Sequence, residues 1–108
     1  MTEPETLLGL IEEKVRADQW RLSWHGERER EADRITAQEI REGLLSPRAE
    51  IIENYSDDPR GASCLVLGFT NEGAPLHFVC GVSLPDVVVI ITLYRPNPQQ
   101  WIDWRVRP

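Results

Sequence analysis

The chain has 108 residues, 41% of them hydrophobic and 28% charged, which is the size and make-up of one globular domain whose core needs no disulfide or metal staple. Its 12 basic and 18 acidic side chains leave a net charge of −6, which opposes a simple nucleic-acid binder, because affinity for a phosphate backbone comes from clustered Lys and Arg. No apolar run reaches membrane-spanning length and no signal-peptide pattern is present, so no membrane association and a cytoplasmic location are expected.

Near residue 47 the sequence changes from helical periodicity to strand and turn. Residues 1–54 hold 8 basic and 13 acidic groups, whereas residues 55–108 hold 4 and 5, so the acidity belongs mainly to the helical half. Thr2 with Glu5 makes a capping-box pattern and Pro4 suits a first turn, which predicts a helix over about 3–18. Leu7, Leu8, Leu10, Ile11 and Val15 form its apolar stripe. Arg21 to Trp24 is short and extended in character. Ser23 then caps a second helix over about His25–Arg34, short or frayed because its i,i+4 pairs are like-charged and only i,i+3 contacts such as Glu27 with Arg30 support it.

Thr36 and Glu39 form another capping box, with Ile35 and Ile40 at the positions of a hydrophobic staple. The third helix runs from Ala37 to Leu45 and stops at Ser46-Pro47, since the residue before proline is pushed out of the helical region. Strands follow over about 49–55, 62–70, 75–83 and 87–94. Thr70-Asn71-Glu72-Gly73 suits a type I turn with glycine at the position of positive φ, and this sets Cys64 against Cys80, Val66 against Phe78 and Leu67 against His77. Both faces of that hairpin are apolar, so helices should cover one face and a loop, tail or partner the other. The β-branched run Val87 to Tyr94 reads as a central strand. The tail 95–108, carrying Trp101 and Trp104, should fold back to bury an indole. The expectation is one domain over 1–108, α+β, with N-terminal helices packed on a four-stranded, mainly antiparallel sheet.

His77 and Cys80, three apart on a strand, point to opposite faces and cannot share an ion. Cys64 and Cys80 supply only two thiols, so neither a metal nor another cofactor is expected. They read as a reduced core pair, with a cross-strand disulfide as the alternative. No Gly-x-Ser-x-Gly elbow and no phosphate-cradling glycine loop occurs. What remains is a set able to handle a phosphodiester: His25, His77 and Tyr94 for protons, and Arg60 and Arg95 for charge on phosphate. Each also has a structural reading. His77 suits a buried core histidine, Tyr94 a ring buried with its hydroxyl at the sheet edge, and His25 the first turn of a helix. Asp57-Asp58 before Pro59-Arg60-Gly61 reads as a turn.

Several stretches in order, Ile51-Ile52-Glu53-Asn54-Tyr55, Ser63 to Thr70, Pro75-Leu76-His77-Phe78-Val79-Cys80 and Ile90 to Pro98, together with Ser23-Trp24-His25 and Ile35-Thr36, resemble the small bacterial domain-of-unknown-function 4258 family over residues 20–101. The resemblance implies an α+β fold of the RelE and MqsR type. It also implies a toxin-antitoxin setting in which relatives of that fold cleave mRNA and are silenced by a small antitoxin protein, sometimes one with a zinc finger. The sequence departs from the family's His-x-x-x-Arg series after His25, with Glu29 and Asp33 at the arginine positions. Two functions follow as expectations. One is a toxin-like mRNA endoribonuclease using His77, Tyr94, Arg95 and Arg60, with His77 set beside Thr92 and on the face of Tyr94. The alternative is a non-catalytic domain that binds a small antitoxin-like partner, with Trp24, Trp101 and Trp104 as anchors.

Overall fold

A computed structural model of the chain describes residues 6–108. The elements in order are α1 (Leu7–Arg16), β1 (Trp20–Leu22), α2 (Trp24–Ala32), α3 (Ala37–Leu44), β2 (Glu50–Tyr55), β3 (Ser63–Phe69), β4 (Pro75–Gly81) and β5 (Val88–Tyr94). The architecture is α+β. The sheet has five strands in the order β1-β5-β4-β3-β2, antiparallel except for β1, which runs parallel to β5.

That parallel strand corrects the four-stranded expectation. Trp20, Arg21 and Leu22 lie beside Val88, Val89 and Ile90, so β1 supplies the neighbour that makes β5 an interior strand. A three-residue segment carries too little periodicity to announce a strand, and its partner lies far along the chain. The first helix also differs from expectation. It starts at Leu7 behind the N-cap Thr6, whose hydroxyl accepts from the Gly9 N–H, and the capping box read on Thr2 and Glu5 falls outside the described residues. The other two starts are as predicted: Ser23 caps α2 through the Gly26 N–H, and Thr36 with Glu39 completes a reciprocal capping box on α3. In α2 only Gly26 is buried, consistent with its polar circumference.

The β3-β4 hairpin has the expected register, with Cys64 opposite Cys80, Val66 opposite Phe78 and Leu67 opposite His77, closed by Gly73 at φ 87°. On one face Cys64, Val66, Leu76, Phe78, Cys80, Ile90 and Leu93 meet Ile11, Val15, Ile40 and Leu44 of the helices and Ile35 of the α2-α3 connection in a single apolar cluster. α3 lies directly on β3. A Cβ on Gly68 would come 1.9 Å from the Gly43 carbonyl oxygen, so only glycine permits that approach. On the opposite face Leu65, Leu67 and His77 are sealed beneath the C-terminal tail, whose Trp101 is 5% exposed. The tail covers this face around His77.

Two β-bulges aim the side chains of that second face. In β2 the register slips between Ile51 and Glu53, so Glu50 and Glu53, three apart, both oppose tail-side residues, Leu67 and Leu65. In β5 Val79 opposes Thr92 while Cys80 opposes Ile90, leaving Ile91 extruded. This extra residue lets Ile90 and Leu93 both face the helices while Thr92 and Tyr94 face the tail. The bulge is held from outside. Ser23 donates its N–H to the Ile90 carbonyl at 3.0 Å and its hydroxyl to the Ile91 carbonyl at 2.8 Å.

Candidate functional site

His77 sits at the centre of the tail-side face, with Leu67 opposite on β3 and Tyr94 opposite on β5. The expected neighbour on β5 was Thr92. The pairing starts one residue further along than expected and the bulge at Ile91 adds one more, which leaves Tyr94 opposite His77 on the same face. His77 Nδ1 lies 3.1 Å from the Tyr94 hydroxyl, and Nε2 lies 2.7 Å from the carbonyl oxygen of Trp104. The Trp101 ring stands edge-on at 4.4 Å. With no exposed surface and both ring nitrogens engaged, the imidazole has no direct route to a bound molecule. Burial lowers its pKa, outweighing the Trp104 hydrogen bond and the nearby Glu53 carboxylate, so it is held neutral.

Tyr94 is half-buried, and it lines a cavity of about 450 Å³ together with Gln99, Gln100, Trp101, Arg107 and Pro108. Burial raises the phenol pKa; the charge of Arg107 opposes that rise while Glu53 and Glu29 add to it. Arg107 is held by Glu53, with Nε 2.8 Å from Oε2, and lies 4.7 Å over the Trp101 ring. Tyr55 donates its hydroxyl to the same carboxylate. Arg107 and Tyr55 hold the Glu53 carboxyl below the usual carboxylate range, Arg107 the more strongly. Two hydrogen-bonded groups, His77 with Tyr94 and Glu53 with Tyr55 and Arg107, thus make one polar network that is joined by charge and by the shared cavity at Tyr94 and Arg107, not by a hydrogen bond.

The other three residues singled out from the sequence do not join that network. His25 is exposed on α2, with Nε2 3.1 Å from Glu29 Oε1; that oxygen is shielded from solvent yet receives no hydrogen bond. The negative charge of Glu29 acts on Tyr94. Arg95 ties the helices to the sheet: its side chain donates to the Asp33 and Arg34 carbonyls and to the Glu39 carboxylate, and its N–H donates to Asp33 Oδ2. Arg60 forks onto Asp58, with Nη2 3.0 Å from Oδ2, inside the turn that Asp57-Asp58-Pro59 was expected to make. It therefore serves its own loop.

Among the described residues, no group of three or more His, Cys, Asp and Glu gathers to hold a metal ion. Among them, too, no helix is long and apolar enough to cross a membrane.

A family model described as a domain of unknown function, DUF4258, matches residues 22–95. The chain belongs to that family. No curated protein and no solved structure matches it. The DUF4258 span takes in His25, Arg60, His77 and Tyr94 and closes at Arg95, so the tail that supplies Trp101, Trp104 and Arg107 lies beyond it. Arg107, Glu53 and Tyr55 are the members of the network that sequence reasoning missed, whereas Trp101 was expected to be buried by the folded-back tail and is. A usable signal was present: Arg105 and Arg107 alternate like a strand face, and Glu53 and Tyr55 alternate likewise on β2.

Proposed function

We propose that this DUF4258 protein is a small mRNA endoribonuclease of the RelE and MqsR toxin kind, kept silent by a small antitoxin-like partner. The observation that carries the reading is the Tyr94 hydroxyl, backed by His77 at 3.1 Å and sharing a solvent-open cavity with Arg107. Cleavage of RNA through its 2′-hydroxyl needs a proton acceptor and a cation for the charge that develops on phosphate. Tyr94 accepts the 2′-hydroxyl proton as the oxygen bonds to phosphorus, and passes its own proton to His77. The P–O5′ bond breaks, the leaving oxygen takes a proton from water, and the hydroxide so formed takes back through Tyr94 the proton held on His77. Arg107 faces the phosphate oxygens in the role the sequence reading gave to Arg95 and Arg60.

The test is cleavage of messenger and ribosome-bound RNA by the purified protein, beside Tyr94→Phe and Arg107→Ala. The expected result is that each change slows cleavage by about a hundredfold or more while the circular dichroism stays unchanged. Equal rates in all three samples overturn the reading. Expression without the neighbouring reading frame gives a second measure, since growth arrest by the natural chain should vanish with Tyr94→Phe.

A second reading, a non-catalytic domain that binds a small partner protein, draws support from a different place. A groove of about 800 Å³ runs between α3 and the β3-β4 turn, lined by Ala37, Leu45, Pro47 and Phe69 among polar neighbours, with the Arg48 guanidinium 3.8 Å over Phe69. Light scattering of the chain mixed with the product of the neighbouring reading frame discriminates the two. A stable complex from a chain that cleaves no RNA favours this second reading, and a monomer that ignores its neighbour removes it.

A further inference from the structure

We propose that the C-terminal turn at Asp103-Trp104 is a positioning device that fixes the tautomer of His77, and so makes the Tyr94 oxygen a proton acceptor toward its cavity. The inference rests on the reading of Tyr94 as the substrate-facing group. The Trp104 carbonyl offers only lone pairs, so His77 Nε2, 2.7 Å away, must carry a hydrogen. A neutral imidazole has one such hydrogen, which leaves a lone pair on Nδ1. The Tyr94 O–H, 3.1 Å away, therefore donates inward, and the phenol oxygen presents its own lone pairs outward. The opposite tautomer would turn that arrangement around and leave the Trp104 carbonyl facing a lone pair.

The carbonyl does not reach His77 by default. Asp103 and Trp104 both adopt left-handed backbone conformations, φ 52° and 64°, which side chains other than glycine rarely take. Three contacts hold them there. Ile102 and Val106 bridge the turn, with the Val106 N–H donating to the Ile102 carbonyl at 3.1 Å. Arg105 clasps Glu50 on β2 and, through Nη1, the Asp103 carboxylate at 2.9 Å. Arg107 clasps Glu53 and stacks on Trp101, which in turn packs edge-on against His77. The β2 bulge puts both glutamates on the tail side, so a register feature on one edge of the sheet governs a proton near its middle. The charged and titratable groups acting on His77 are Glu53, Arg107 and Tyr94.

The experiment is a long-range proton-nitrogen correlation spectrum of the full chain with labelled histidine, with exposed His25 as internal comparison. The natural chain should show His77 as the Nε2–H tautomer alone at neutral pH. Arg105→Ala, which frees the turn but leaves the sheet face intact, should bring up the Nδ1–H form to at least about a tenth of the population. A natural chain with the Nδ1–H tautomer, or an Arg105→Ala chain with the natural pattern, overturns the inference. The spectrum does not depend on catalysis. A tautomer shift in a chain that cleaves no RNA sinks the nuclease reading and leaves the positioning role standing.

Discussion

His77 and Tyr94 face each other across β4 and β5 because Ile91 is extruded between them and the start of the strand. Without that extra residue, the side-chain alternation that puts Ile90 on the helix face would carry Tyr94 there too, away from the imidazole. The Ser23 cap of α2 binds both bulged carbonyls, so the helix that carries His25 also fixes the geometry of a pair it does not touch.

Gly26→Ala tests that coupling. A Cβ there would come 2.7 Å from the Ile90 carbonyl oxygen, so α2 must lift off the bulge. The expected loss is about 2 kcal/mol of unfolding free energy, with weaker cleavage, since overpacking against backbone has little room to relax. Gly68→Ala should cost more, about 3 kcal/mol or above, because its Cβ would lie 1.9 Å from the Gly43 carbonyl oxygen with rigid elements on both sides. Denaturant titration measures both, and a pair of neutral substitutions would show that the helices sit farther from the sheet.

Acid should weaken the fold in two steps. His77 titrates below its ordinary 6.5 when folded, so below that pH the unfolded chain takes up the proton first and stability falls until the folded imidazole is also charged. Glu39 and Glu53 are likewise held below their ordinary 4.5, Glu39 chiefly by the Thr36 N–H and Glu53 by Arg107, so their stabilisation is present at neutral pH and lost under about 4.5. Unfolding free energies at pH 7.5, 6 and 5 should therefore decline in the natural chain and lie nearly flat in His77→Gln. The same decline in both would remove the histidine from the account.

Local signals told of local structure. Ser23, Thr36 and Gly73 were readable as caps and a turn because each acts on its own neighbours, and the β3-β4 register followed from the turn alone. What escaped is non-local or sub-periodic. β1 has three residues and a partner near residue 89. Each bulge changes the pairing by one residue, which alternation of side chains cannot show when both faces are apolar. The site was half legible for the same reason. His77 and Tyr94 stand out by residue type, whereas the Trp104 carbonyl has no side-chain signature at all, and Arg107 acquires its neighbours only when the tail folds back.

Arg95 and Arg60 should behave differently from the phosphate contacts expected of them. Arg95 joins β5 to the α2-α3 connection through the Asp33 and Arg34 carbonyls and the Glu39 carboxylate. Arg95→Ala should cost roughly 1–2 kcal/mol, discounted because the side chain is partly exposed, and should leave the RNA affinity of the folded protein unchanged. Arg60, 89% exposed in its fork with Asp58, should be replaceable by alanine with no change in melting temperature. Thermal unfolding with RNA titration reads both. A large affinity loss in a well-folded Arg95→Ala chain would return that residue to the binding surface.

Cys64 and Cys80 are directly opposed on β3 and β4 and wholly buried, a placement that makes them neighbours without making them reactive. Burial pushes the Cys64 thiol up to about 11, and the Cys80 thiol rises as well, chiefly by burial and further by its neighbour. At pH 8 the thiolate of Cys64 is then on the order of one part in a thousand, and the thiolate is the form that attacks a disulfide. Neither thiol should react with an aromatic disulfide reagent in the native chain over minutes, and both should react at once in denaturant. Because these pKa values rise on folding, the stabilisation is whole below the ordinary 9.0 and drains away above it, so alkaline pH should speed the reaction by unfolding as much as by ionisation. A native chain that titrates one thiol quickly would mean that the β3-β4 hairpin opens far more often than its sealed faces imply.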